Sequence, residues 1–305
     1  MTPFQNAEPP RGSASILAPA KINLALHVTG RRDDGFHMLE TLAVFASAGD
    51  RLTIVPAASD SYEVVGPGRD PLPARNDNLE PRARDLLRSH FGDDACPPVA
   101  IRLEKHLPVA AGLGGGSADA AATLLALSEL WDLPLDADNG GLAKFALSLG
   151  ADIPMCLQSR TVIAAGIGER LTPVEGWPSL AIVLVNSGEK VSTADVFGKM
   201  EKPDNPPLPP LPAITGYDQV IGWLSRTRND LEAAAIAVAP SISDTLAELE
   251  SQAPLFARMT GSGATCFAIF PSLAVAEDAA DAIRHRQPHW YVEATQTIEG
   301  RGAIT

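Results

Sequence analysis

Apolar side chains in the first hundred residues alternate or run unbroken over short stretches, the signature of strands rather than helices. Residues 16–17 and 22–28 read as strands on either side of a break at Pro19, and residues 40–46, 51–55 and 62–65 as three more. The pattern then changes. Leu79, Ala83, Leu86 and Leu87 recur at helical spacing and predict a helix over 78–91, with Pro81 tolerated in its first turn. Residues 99–103 alternate again, as a strand would. The Ala- and Leu-rich run 117–131 predicts a long helix with Ser117 as its N-cap candidate. A further helix over 141–149 is stopped by Gly150, in the position of a C-cap glycine.

The second half repeats the mixture. Strand-like runs fall at 161–165, 180–185, 266–270 and 290–294, and helical runs at 217–225, 241–251 and 273–286. Residues 203–212 (PDNPPLPPLP) hold six prolines in ten residues and read as a stiff surface loop. The layout predicts an α+β protein in two parts: a flexible tail over 1–15, then units over 16–160 and 161–305.

Charge and composition narrow the partners. The 305 residues carry 24 basic and 37 acidic side chains, a net charge of −13. That excludes a non-specific nucleic-acid binder, which needs a basic surface. No run of 18 apolar residues would span a membrane, and the polar, Pro-containing start lacks the apolar stretch of a signal peptide. Three cysteines, Cys96, Cys156 and Cys266, have neither disulfide-framework nor zinc spacing and predict buried thiols in a reducing cytoplasm.

The most informative segment is 107–122, LPVAAGLGGGSADAAA. Gly112, Gly114, Gly115 and Gly116 lie between a strand and a helix and end on Ser117. Glycines let backbone N–H groups approach a ligand with no Cβ in the way, and a helix start adds unpaired donors and a positive dipole end. Together they make an anion cradle that needs few basic side chains. A Walker loop is excluded, because no Lys follows Gly116. A dinucleotide fingerprint is excluded too: Ser117 replaces its last small residue, and Asp136 falls in a Pro-containing loop rather than at a strand end.

The segment Pro108 through Ala120 instead resembles the central motif of the GHMP kinase family (galactokinase, homoserine kinase, mevalonate kinase and relatives), with its Pro-x3-Gly-Leu-Gly at 108–114 and the small residues and serine that follow at 115–118. Two more family motifs follow in order, APAKINLALHVTGRRDDGFHMLET at 18–41 and MTGSGATCFAIF at 259–270, with LGADIPMCL at 149–157 and NDLE at 229–232 in agreement. The resemblance implies an N-terminal nucleotide-binding domain, a C-terminal ferredoxin-like domain and an active site between them. It also implies ATP with Mg²⁺, and a small-molecule substrate carrying a cytidine diphosphate group, handled by a soluble monomer or weak homodimer. Two alternatives stay open: another small-molecule kinase of the family, of homoserine or mevalonate type, and a catalytically silent nucleotide-binding regulator.

Site residues follow from chemistry and resemblance together. Asp152 follows a helix and a glycine in an apolar setting and is the choice for the base. Lys21 lies in an apolar strand, where a lysine is costly unless paired. The resemblance pairs it with Asp152, and a silent regulator would need neither. Asn23, two residues on, emerges on the same strand face and by resemblance contacts substrate. His37 matches the family's cytosine-reading histidine, with Phe36 and Phe197 as stacking faces and Thr193 as a nearby hydroxyl. Pro108, Gly112, Gly114, Gly115, Gly116 and Ser117 are expected to wrap the ATP phosphates, and Asn78 and Lys105 to border the adenine. Asp119 reads either as a plain N-terminal helix acid or as a carboxylate acting through Mg²⁺-bound water. No direct metal ligand is assigned.

Overall fold

The structure is a computed structural model that describes residues 4, 12–69, 78–135, 141–214, 216–298 and 300. Asp136 and most of the expected tail lie outside the described residues. The first half opens with two long antiparallel strands, β1 (Ala14–Arg31) and β2 (His37–Pro56). Each joins segments that the sequence pattern divides. Pro19 does not end β1, because among the described residues β2 is the one strand paired with β1 and the missing N–H falls at a register shift between Pro19 and Lys21. β3 (Ser61–Val65) runs parallel to β4 (Val99–Glu104), which pairs with β2.

Helices α1 (Leu79–Phe91), α2 (Gly115–Leu130), α3 (Gly141–Leu149) and α4 (Ile153–Gln158) cover this sheet. α2 is apolar on all sides, and residues from Ala118 to Ser128 are buried throughout, so it is the central element rather than a surface helix. It begins two residues before Ser117. Gly114, in the left-handed region at φ 63°, takes the N-cap position, so Ser117 lies inside the first turn and is not the cap.

Strands β5 (Val162–Gly166) and β6 (Arg170–Pro173) follow, β5 adding to β2, so the chain stays with the first sheet until Pro173. The second half holds β7 (Ala181–Asn186), β8 (Phe256–Met259), β9 (Cys266–Phe270) and β10 (Tyr291–Ile298), with α5 (Thr193–Lys199), α6 (Tyr217–Leu224), α7 (Glu232–Val238), α8 (Ser241–Glu250) and α9 (Leu273–Arg286). β10 pairs with β7 along most of its length and ends on β2, joining the two sheets.

A shared apolar core sits between the halves: Ile22, Leu24, Leu42 and Val44 from the first meet Ile182, Leu184, Trp223 and Phe267 from the second. The proline segment is irregular and lies along β1. Asn205 N donates to Val28 O at 3.1 Å, and Trp223 Nε1 donates to Pro209 O at 3.2 Å. All three cysteines are free and buried. Among the described residues no helix is long and apolar enough to cross a membrane.

Candidate active site

A cavity of about 1240 Å³ lies between the two halves. Its wall contains every site residue expected from the sequence: Lys21, Asn23, Phe36, His37, Asn78, Lys105, Pro108, the glycines 112 and 114–116, Ser117, Asp152, Thr193 and Phe197. The glycine loop forms its floor. Gly112 (φ 75°) and Gly114 (φ 63°) take a conformation that other residues resist, and both are hemmed in. A Cβ at Gly112 would stand 2.6 Å from Thr260 O, and one at Gly114 3.2 Å from Lys21 Cε. The loop is therefore clamped between β1 and the turn 260–263. Lys21 N donates to Leu113 O (2.9 Å) and Thr265 N to Ala111 O (3.2 Å). A Cβ at Gly116 would meet nothing within 4 Å. The start of α2 thus faces open space with its first N–H groups unpaired by the helix.

Beyond the loop, Lys21 Nζ donates to Asp152 Oδ2 at 2.5 Å. Asp152 stands at the N-cap of α4, yet its carboxylate makes no cap bond and reaches across to β1. The lysine side chain is 7% exposed and the aspartate 41%, so the carboxylate is the partner that meets the cavity. Lys21 holds Asp152 below the usual carboxylate range, against the opposing effect of burial. Burial pulls the lysine down, but the Asp152 charge outweighs it and the ammonium stays above its ordinary value. Cys156, one turn further along α4, is pushed up to about 12 by burial and remains a neutral thiol.

Lys105 is placed differently. Its ammonium donates to Asp50 and to Asp119 Oδ2 (2.8 Å), and all three side chains are closed to solvent. Asp50 also accepts from His106 N (2.6 Å) and Leu107 N (2.9 Å), tying the end of β4 to β2 just ahead of the loop. Asp119 Oδ1 is buried without a hydrogen-bond partner. Burial raises the Asp119 carboxyl well above its ordinary value, Asp50 and Glu80 add to this, and Lys105 opposes it. Among the described residues no three acidic, His or Cys side chains gather to hold a metal ion.

At the far end, His37 stacks on Phe197 with ring centroids 4.6 Å apart and planes 21° from parallel. One face of Phe197 is thus covered by His37 itself, while Phe36, on the hairpin between β1 and β2, is 58% exposed. Burial lowers the His37 pKa, and Arg31 lowers it further. Thr193 Oγ1 and Ser262 Oγ share a hydrogen bond of 2.8 Å, which links α5 to the turn 260–263. Two lining or supporting residues escaped the sequence reading. Asp50 follows Gly49 and reads as a turn, although β2 runs through it. Thr41 is the hydroxyl residue within the apolar run 40–46, and that contrast is its signal in the sequence.

These features have counterparts. The family model described as GHMP kinases N terminal domain matches residues 78–160, and GHMP kinases C terminal matches 219–289. With the α+β architecture, they define a two-domain GHMP kinase. A protein of Brucella melitensis named 4-diphosphocytidyl-2-C-methyl-D-erythritol kinase is 52% identical over 305 residues, 99% of this chain and 100% of that one. A crystal structure titled 4-(cytidine 5'-diphospho)-2C-methyl-D-erythritol kinase superposes with a TM-score of 0.75 at 33% identity, covering 93% of this chain and 99% of that one. The homoserine kinase of Cytophaga hutchinsonii shares the fold, with a TM-score of 0.68 at 16% identity over 99% and 98% of the two chains. The chain belongs to the family of 4-diphosphocytidyl-2-C-methyl-D-erythritol kinases.

Proposed function

We propose that this protein transfers the γ-phosphoryl group of ATP to the 2-hydroxyl of 4-diphosphocytidyl-2-C-methyl-D-erythritol, as a cytoplasmic enzyme of isoprenoid precursor synthesis. The observation that carries the reading is the Lys21–Asp152 pair, set at 2.5 Å in the cavity wall between the glycine floor and the aromatic end. A phosphoryl donor and an alcohol acceptor entering from opposite ends would meet there.

Pro108, the glycines 112 and 114–116 and the first turn of α2 hold the nucleotide phosphates, with Asn78 and Lys105 bordering the base. Their fit to a polyphosphate rests on the open space over Gly116 and the unpaired helix donors. Magnesium neutralises phosphate charge when bound. Ser117, in the cavity wall at the start of α2, would stand beside it, and among the described residues no carboxylate cluster gathers to hold it. His37, Phe36 and Phe197 hold the cytosine end, with Asn23 and Thr193 toward the polyol.

Asp152 Oδ accepts the hydroxyl proton as the oxygen–phosphorus bond forms and the bond to the β-phosphate oxygen breaks, releasing ADP. Its lowered pKa keeps it ionised at neutral pH and makes it a weak base, so the proton moves late, once the forming bond has acidified the hydroxyl. Lys21 stays protonated and offsets the charge that gathers on the acceptor oxygen and the transferred group.

The test is a coupled ADP-release assay with ATP, Mg²⁺ and this substrate, in parallel with homoserine and mevalonate. The expected result is turnover of the cytidine substrate alone. Turnover of homoserine or mevalonate with none of the cytidine substrate overturns the assignment.

A further inference from the structure

We propose that Thr41 is a positioning residue: it fixes which end of the Asn23 side-chain amide faces the cleft, and so makes that point of the wall a hydrogen-bond acceptor for a non-reacting hydroxyl of the alcohol substrate. The inference rests on the kinase reading above.

The argument is one of hydrogen-bond inventory. Thr41, 2% exposed in β2, has its Oγ1 2.6 Å from Ala25 O and 2.8 Å from Asn23 Nδ2. A carbonyl can only accept, so the single O–H of Thr41 goes to Ala25. Oγ1 then turns a lone pair toward Asn23, and only the NH₂ end of an amide can meet it. Partner chemistry alone therefore sets the amide's orientation. With Nδ2 turned to Thr41, Oδ1 faces the opposite way, toward the turn 260–263. A Cβ at Gly261 would stand 3.4 Å from it. Among the described residues no donor reaches Oδ1, and Asn23 lines the cavity. The strand is itself pinned here, because Asn23 N donates to Thr260 Oγ1 at 2.8 Å.

An acceptor so fixed takes an O–H or N–H and repels an oxygen that can only accept. At this point the wall favours a hydroxyl of a polyol and disfavours a phosphate oxygen. Asn23 lies two residues from Lys21, about 6–7 Å along a strand. The hydroxyl held at Asn23 is therefore a neighbour of the reacting one, and the contact sets which hydroxyl reaches Asp152.

The experiment compares Thr41→Val, nearly the same shape without the hydroxyl, and Thr41→Ser, which keeps it. With ATP and 4-diphosphocytidyl-2-C-methyl-D-erythritol, Thr41→Val should raise KM for the alcohol substrate about tenfold, with KM for ATP held within about twofold, and Thr41→Ser should restore most of the loss. In an Asn23→Ala background, Thr41→Val should add nothing. A tenfold loss that persists in that background, a Ser variant as poor as the Val variant, or an ATP KM that rises in parallel each overturns the proposal. A second readout needs no substrate. The Asn23 Nδ2 protons, assigned by their absence in Asn23→Ala, should exchange slowly in the unmodified protein and fast in Thr41→Val. Equal exchange rates overturn the positioning role. Slow-to-fast exchange with no turnover of the cytidine substrate by the unmodified protein leaves positioning intact and instead overturns the kinase assignment.

Discussion

Two lysines stand in the wall of one cavity, each in or just beyond a strand, each bonded to aspartate, and yet the two sites are electrostatic opposites. Lys105 is enclosed with Asp50 and Asp119, at 4%, 0% and 1% side-chain exposure. Lys21 is almost as buried, but its partner Asp152 is 41% open to the cleft. The consequence shows in the acids. Lys21 depresses Asp152, because one cation faces one carboxylate that still has solvent. Asp119 is raised instead, because burial and two further carboxylates outweigh the shared lysine. A closed ion cluster spends its charges on itself and organises chain. An open pair keeps a charged oxygen available for a substrate. Both lysines are expected at the site from the sequence, and the exposure of the partner separates a charge open to the cleft from one that is enclosed.

The largest effect expected is at the open pair. Asp152→Asn keeps the shape and removes the base, so kcat should fall by about 10²–10⁴ with ATP binding nearly unchanged. Steady-state kinetics beside nucleotide titration would check it. A kcat within about threefold of the unmodified enzyme would remove Asp152 as the base and, with it, the functional half of the comparison.

The closed cluster should respond in stability first. Lys105→Met leaves two buried carboxylates facing each other, a loss of about 3–5 kcal/mol. Urea unfolding would read it as a lower midpoint at constant slope. A midpoint that hardly moves, beside a large rise in ATP KM, would make Lys105 a nucleotide contact rather than a structural cation.

The contrast also explains what could be read from sequence. Lys21 betrayed itself as a charge in an apolar strand, and the glycine run announced a cradle, because both signals are local. Asp50 did not, because Gly49–Asp50 carries turn chemistry while pairing with β1 through both residues, and with β4 from Arg51 on, carries β2 through it. The acids that pair with Lys105 come from another strand and from α2, so no local signal shows that the lysine expected to border the adenine also ties the fold together. Ser117 misled for a related reason. It is a good cap residue, but a glycine free to turn left-handed starts the helix earlier.

The smallest effect is the most diagnostic, since it tests the sign of the two carboxylate shifts. An acid depressed in the folded state adds stability above its unfolded pKa of about 3.9, and that stability is lost as pH falls through the folded value. Asp152 is of this kind. An acid raised in the folded state does the reverse, and the fold weakens as pH climbs from about 4 toward the folded value. Asp119 is of that kind. Asp119→Asn removes a desolvated charge and one charge-assisted bond together, so its net cost should stay within about 1 kcal/mol. Its stability relative to the unmodified protein should improve as pH rises from about 4 to 7, whereas that of Asp152→Asn should decline as pH rises through the acid range below about 4. Unfolding midpoints measured across that range check both slopes. Parallel slopes would mean that water satisfies the buried Asp119 oxygen, leaving the two lysine sites alike in sign and different only in exposure.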